Sequence, residues 1–347
     1  MNVKREEQLL PAPALVPAPD AAVVKRYTQE IIAIAEQFEA EQTALGDVKI
    51  AAGALREMRQ AFKLFSAYHG VRKVSTFGSA RTREGDPVFR LAQDFARRIA
   101  DRGYMVITGA GPGIMEACQR GAGRARSFGI NITLPFEQAA NAEIRDDPKF
   151  MSFHYFFTRK LFFLKEADAI VLFPGGFGTH DEGLETLTLL QTGKMQPLPL
   201  VFLDRPRGTY WKTWQRYVED HMLRRAMIQE EDLALFKVIN DIDAAVEEIT
   251  TFHRVYHSSR YVRDRFVIRL NRWLPKELVA ELAVEFADII IEGGMEQRRA
   301  FGIEKDDAAV FHLPRLAFRF NRINFGRLRM LIDRLNHLPE GGQIGAS

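Results

Sequence analysis

The sequence predicts an α/β protein: a Rossmann-like parallel sheet with helices on both faces, an N-terminal helical extension and a small C-terminal α+β domain. Three observations predict it. Between about residues 72 and 225, short apolar runs alternate with segments of helical period. The runs lack polar alternation, as strands covered on both faces do. Glycines cluster where the runs end, in GSAR (78–81), TGAGPG (108–113) and PGGFG (174–178). Open parallel sheets bind their ligands at that edge.

Taken in order, residues 1–21 hold four prolines and almost no pattern, and read as a disordered, Pro/Ala-rich arm. Residues 22–70 form the helical extension, with helices over 22–42 and 48–69. Leu55, Met58, Phe62 and Phe65 recur at helical spacing and give the second helix a buried face. The parallel sheet occupies a domain over 71–252. It opens with VRKVSTFGSA and continues through helix 87–102, strand YMVITGAG, helix 113–127 and strand GINITLP. Strand DAIVLFPGG, helix 180–193, strand PLPLVFLD and helix 209–224 complete it. Residues 253–347 form the tail domain, with strands in RFVIRLN, ADIIIEGG and RLAFRFNRI and helices over 275–286 and 325–337. Phe266, Ile268 and Leu270, then Leu316, Phe318 and Phe320, give its sheet one apolar face. Arg265, Arg269, Arg315 and Arg319 fall on the other, placed to meet acidic partners or a regulatory nucleotide.

Bulk composition narrows the function. Of 347 residues, 46% are hydrophobic and 27% charged, ordinary values for a globular chain. A net charge of +3, and 16 Lys/Arg against 12 Asp/Glu in the tail, argue against a nucleic-acid partner. No apolar run approaches the ~20 residues of a membrane span. A single cysteine, Cys118, excludes an internal disulfide framework and fits a cytoplasmic protein; within a helix it reads as packed, not nucleophilic.

PGGFGTHDE (174–182) carries the strongest chemical signal. Gly175, Gly176 and Gly178 let backbone N–H groups close on a ligand, and the helix that follows offers unpaired N–H groups and a positive dipole end. Such a turn suits a phosphate, and Thr179 adds a hydroxyl. Ser79, Gly111 and Gly113 belong to the other two glycine-bearing strand ends; three such ends in one sheet form a nucleotide crevice. Glu182 has two readings. Thr179-x-x-Glu182 matches a capping box, which would turn the carboxylate back on the Thr179 N–H. Alternatively Glu182 and Glu185, three residues apart on one helix face, point into the crevice. There a carboxylate can activate water and steady an oxocarbenium-like ribose. Arg159 and Lys160 precede the DAIVLF strand, placed either to meet phosphate or to stand as a solvated basic pair. His154 and His180 have no second ligand at metal spacing and read as hydrogen-bonding residues.

These motifs together resemble the Lonely Guy (LOG) family, formerly labelled lysine decarboxylases and regarded as nucleoside 5′-monophosphate phosphoribohydrolases. The pattern PGGxGTxxE is met by Pro174, Gly175, Gly176, Gly178, Thr179 and Glu182, and the upstream Arg-Lys element by Arg159 and Lys160. The family's three-glycine loop departs here to Gly109-Ala110-Gly111. The match spans about residues 70–225. It implies Glu182 and Arg159 as the catalytic pair, with the 5′-phosphate held by Gly175, Gly176, Gly178 and Thr179; Ser79, Gly111, Gly113, Lys160 and Glu185 are the further candidate substrate-binding residues around them. It implies hydrolysis of the N-glycosidic bond of an AMP-like nucleotide or cytokinin ribotide, with no metal and no cofactor, in a dimer or larger homo-oligomer. A carrier or sensor that binds a nucleotide without turnover is the alternative. The pyridoxal-phosphate chemistry of the old label lacks a lysine with a pyridinium partner around Lys160. The tail is expected to serve assembly or regulation and to supply no catalytic group.

Overall fold

The computed structural model describes residues 20–134, 140–305 and 307–337. The arm assigned to residues 1–21 lies, but for its last two residues, outside them. In chain order the elements are α1 (Ala21–Ala40), α2 (Leu45–Ser66), β1 (Lys73–Phe77), α3 (Pro87–Asp101), β2 (Met105–Thr108), α4 (Ile114–Ala122), β3 (Ser127–Ile132), β4 (Phe150–Phe153), α5 (Phe156–Lys165), β5 (Ala169–Leu172), α6 (Phe177–Gln191), β6 (Leu200–Leu203), α7 (Tyr210–Tyr217), β7 (Lys237–Ile239) and α8 (Ile242–Phe252). The tail adds β8 (Tyr256–Val262), β9 (Arg265–Leu270), α9 (Lys276–Glu285), β10 (Glu296–Arg298), β11 (Arg315–Phe318) and α10 (Phe325–Asn336).

Seven parallel strands form the larger sheet in the order β4-β3-β2-β1-β5-β6-β7. Its central strands are buried on both faces because side chains alternate between two cores. Ile170 and Leu172 join Phe65, Phe128, Phe162 and Trp211 on one side. Ala169, Val171 and Phe173 join Phe95, Ile99, Cys118 and Ile249 on the other. The strand order runs leftward from β1 through β2 and rightward from β1 through β5. Loops leaving β1 and β5 therefore diverge and leave a crevice between them.

The second sheet is antiparallel, β10-β11-β9-β8, and four strands strong where the sequence predicts three. Its apolar face is the expected one: Phe266, Ile268, Leu270, Leu316, Phe318 and Phe320 pack with α9 and α10 in one core. ADIIIEGG is not a strand. It forms a single 3₁₀ turn (Ala287–Ile289) and one bridge, Ile290 to Phe320, before Gly293 and Gly294 turn the chain at positive φ. The arginine face also departs from expectation. Arg269 and Arg315 are buried and bond to Glu304 of the same chain, whereas Arg265 and Arg319 stay partly exposed and pair with Glu296 and Asp264. The tail is locked to the larger sheet by Arg329 of α10, which is buried and bonds to Glu248 at 2.6 Å and to the Leu198 carbonyl at 3.2 Å. Among the described residues no helix is long and apolar enough to cross a membrane.

Candidate active site at the sheet switch point

A cleft of about 740 Å³ opens where β1 and β5 part. One wall is Gly78–Arg81 after β1; the other is Gly175–Glu182, the turn after β5 and the first turns of α6. The two loops are laced together by the Ser79 N–H, which donates to the Pro174 carbonyl at 3.2 Å. Close approach requires glycine here. A Cβ on Gly175 would lie 2.1 Å from Thr179 Oγ1 and 3.0 Å from the Ser79 nitrogen.

α6 begins at Phe177, with Gly176 as its N-cap. This settles the two readings of Glu182. Thr179 is the third helical residue and its N–H donates to the Gly176 carbonyl at 3.0 Å, so it caps nothing. The Glu182 carboxylate is not turned back on the chain; it lines the cleft, 8% exposed, and its Oε2 has no hydrogen-bond partner among the described residues. Burial pushes its pKa up to about 7, with Lys160 and Arg159 opposing and Glu185 reinforcing. A carboxyl balanced between its two forms near neutral pH is a device for moving a proton. The N–H groups of Phe177 and Gly178, ahead of the first helical hydrogen bond, have no carbonyl of α6 to bond, and both residues border the same space.

Arg159 enters from α5. Its Nε donates to the Ile130 carbonyl at 3.0 Å and its guanidinium lies over the Phe163 ring at 5.0 Å. Burial draws its pKa down to about 10, and Glu182 pulls the other way. The space for it comes from Gly109 at the end of β2, where a Cβ would sit 2.5 Å from an Arg159 terminal nitrogen. Arg159 is thus no solvated residue. Neither is Lys160, although it does not itself line the cleft: its ammonium bonds Glu185 at 2.7 Å and Asp181 at 2.8 Å, and reaches Glu182 at 3.9 Å.

The structure therefore brings Glu182, Arg159, Ser79, Gly175, Gly176, Gly178 and Thr179 to one cleft and leaves four predicted residues outside its lining. Lys160 and Glu185 pair with each other between α5 and α6. Gly111 accepts from the Asn141 side chain at 2.8 Å, and Gly113 caps α4 at φ +69° beneath the Ser79 carbonyl. These two shape the loop and do not face the ligand space. Ala110, where the resembled family has glycine, holds φ +58° and turns its methyl into a small core with Ala140 and Ile144, clear of the cleft.

Other lining residues escaped sequence reasoning. Tyr210 of α7 donates its hydroxyl to the Gly175 carbonyl and meets His180 Nε2 at 2.7 Å, bracing the glycine turn. Arg81 stands at the β1 side, and Phe156 and the almost wholly exposed Phe177 border the mouth. Arg81 sits one residue beyond GSA in the predicted motif, which was its only signal. His154 bonds Glu57, as a hydrogen-bonding histidine should. Cys118 is buried and burial raises its thiol to about 12, so it is packed and unreactive. Every lining residue of the cleft lies before residue 211, and none belongs to the tail.

Comparison with known proteins agrees with the resemblance. Residues 115–249 match a family described as "Possible lysine decarboxylase". That segment, less than half of the chain, overlaps the region whose motifs resemble the LOG family. No curated protein sequence matches. Solved structures similar to part of the chain include the molybdenum cofactor binding protein of Rippkaea orientalis (14% identity, 52% of this chain and 96% of that one, TM-score 0.39). The molybdenum cofactor carrier protein of Chlamydomonas reinhardtii (18%, 52% and 96%, TM-score 0.37) and DNA processing protein A of Helicobacter pylori (16%, 54% and 83%, TM-score 0.37) are also similar. Likeness at this level says nothing of substrate.

Proposed function

We propose, starting from a chain whose motifs resemble the LOG family, that this protein hydrolyses the N-glycosidic bond of a nucleoside 5′-monophosphate to a free base and ribose 5-phosphate. The observation that carries the reading is the buried Glu182 carboxylate, one oxygen without a hydrogen-bond partner, balanced near neutral pH beside a glycine turn and a half-buried arginine. In this scheme the N–H groups of the α6 first turn and the Thr179 hydroxyl take the 5′-phosphate. Glu182, in its ionised form, accepts a proton from water as the C1′–N bond breaks, and the carboxylate's charge favours the cationic ribose. Arg159 offsets negative charge on the substrate and on the departing base. The rings of Phe156, Phe177 and Tyr210 offer faces on which a base can stack. Products balance: water supplies OH to C1′ and a proton to the base nitrogen.

The test is incubation of the purified protein with AMP, GMP, CMP and UMP, with free bases resolved by chromatography, beside the matching nucleosides. At least one monophosphate should be cleaved and its nucleoside cleaved at least 10-fold more slowly, since each charge-assisted hydrogen bond lost costs roughly 1.5–3 kcal/mol. Saturable binding of a monophosphate with no base released would make the protein a carrier and overturn the reading. Equal rates on AMP and adenosine would remove the phosphate role of the glycine turn.

A further inference from the structure

Helix α5 carries Arg159 into the cleft, yet its own N-cap residue, Tyr155, makes no capping bond with its side chain. The bracing comes from the N-terminal extension. Glu57 of α2 accepts the His154 N–H at 2.6 Å on one carboxylate oxygen and the Thr158 hydroxyl at 2.5 Å on the other. A capping box joins such groups within a single helix turn. Here the joining carboxylate comes from 97 and 101 residues away in the chain. It spans the start of α5, where negative charge suits the helix dipole, and Arg159 is the next residue.

Attachment of α2 does not explain this carboxylate. Glu57 is 5% exposed and Thr158 1%. α2 already packs on the larger sheet through Ala61 and Phe65, with Met58 and Leu64 against the same core and Phe62 edge-on to Phe162 at 5.2 Å. Gly53 brings its backbone onto Tyr155, where a Cβ would lie 2.8 Å from the ring. An apolar residue at position 57 would hold α2 without taking a carboxylate out of water. What the carboxylate adds is direction: two directional bonds fix where the first turn of α5 begins. Arg159 depends on that start. Its Nε reaches the Ile130 carbonyl at 3.0 Å and its guanidinium fills the gap left by Gly109. A shift of α5 would break the first and withdraw the second.

We infer that Glu57 is a positioning residue: through its bond to Thr158 the N-terminal extension fixes the start of α5 and so holds Arg159 at the nucleotide. Neither Glu57 nor Thr158 lines the cleft, so both act through Arg159 and not on the ligand. The kinetic consequence rests on the hydrolase reading; the placement of Arg159 does not.

The test compares full-length Glu57→Ala, Glu57→Gln and Thr158→Val, with folding checked by circular dichroism. Glutamine is the rescue. Its carbonyl still accepts the His154 N–H and its amide donates to the Thr158 oxygen, whose proton turns to the Tyr155 carbonyl 2.9 Å away. The first readout is the Arg159 Nε–H signal in protein labelled with nitrogen-15 arginine, assigned with Arg159→Lys. Its exchange with water reports the Ile130 bond whether or not a nucleotide is turned over. The second is kcat and KM per folded molecule on the best monophosphate. Glu57→Ala should speed the exchange and lower kcat by roughly 10–100-fold, the cost of a misplacement near 1 Å, with KM changed less. Thr158→Val should show part of the same defect and add nothing to Glu57→Ala. Glu57→Gln should stay near wild type. A lower melting temperature with wild-type exchange and wild-type kcat in Glu57→Ala would make Glu57 an anchor alone and overturn the proposal. An unaltered Arg159 signal in Thr158→Val would overturn it too, and decides the matter if Glu57→Ala does not fold. Glu57→Gln as impaired as Glu57→Ala would overturn the bonding geometry. A wild type that releases no base from any monophosphate would sink the hydrolase reading, and the exchange readout would still decide the placement of Arg159.

Discussion

Two buried glutamates, one in each sheet domain, show how differently the two regions use the same side chain. Glu304 in the tail is 1% exposed and Glu182 in the cleft 8%. Burial presses both toward the neutral form. Glu304 withstands it: the Phe301 N–H donates to it at 3.1 Å, Arg315 at 3.2 Å and Arg269 at 3.3 Å, and its pKa is held below the usual carboxylate range. Glu182 has Lys160 only at 3.9 Å and an oxygen without a partner, and its pKa climbs to about 7. The tail therefore uses its carboxylate to fix a structure. The cleft holds its own in readiness for something absent from the chain itself. A buried polar group left unsatisfied costs stability, and it persists where function requires it.

The largest test of this contrast is catalytic. Glu182→Gln should bind a nucleoside monophosphate nearly as wild type does and lose turnover by roughly 10²–10⁴-fold. Wild-type kcat/KM should rise with pH and level off above about 7, as the Glu182 proton leaves. Wild-type turnover in the variant would reduce Glu182 to a structural residue like Glu304.

Next in size, Glu304→Gln should destabilise the protein by about 3–5 kcal/mol, because Arg315 is left buried without its counter-charge while Arg269 keeps only Asp307. Turnover per folded molecule should not change. Glu304's folded pKa is lowered, so its contribution is present above the unfolded carboxylate pKa and fades as pH falls through the folded value. Denaturant titrations at pH 8 and pH 3.5 should show the penalty at the first and a smaller one at the second.

The smallest effect has the opposite sign. Glu182's folded pKa is raised, so its contribution is present below the unfolded value and is lost as pH rises through about 7. Glu182→Gln should therefore stabilise the protein at pH 8.5, on the order of 2–3 kcal/mol, and have little effect at pH 5. Thermal melts at the two pH values measure it. Equal melting temperatures for wild type and variant at pH 8.5 would mean that water or a neighbour already satisfies Glu182, and the contrast with Glu304 would collapse.

Much of the larger sheet was legible because period and punctuation agreed. DAIVLFPGG reads as a buried strand ending in a glycine turn, and it is β5 and the cleft wall. Strands β4 (FMSF) and β7 (KVI) were missed: they are short, lie at the two edges of the sheet and carry no apolar run. In the tail, β8 (YHSSRYV) was hidden by its polar residues, while ADIIIEGG looked like a strand and turned out to be a turn. Apolar content alone does not separate a strand from a 3₁₀ turn that buries Ile289.

What the sequence determined by itself was the alternation of strands and helices in the centre of the larger sheet, the glycine turns at the strand ends and the residue types available for phosphate and proton chemistry. These follow from local rules of spacing and backbone freedom. Only the tertiary structure decided which of two facing carboxylates enters the cleft. Starting α6 at Phe177 in place of residue 180 freed Glu182 from the cap, and Glu185, paired with Lys160, does not line the cleft. Only the tertiary structure, too, turned Arg269 and Arg315 of the tail inward onto Glu304. Both outcomes depend on charges brought together from distant parts of the chain, and no local pattern encodes a partner that far away.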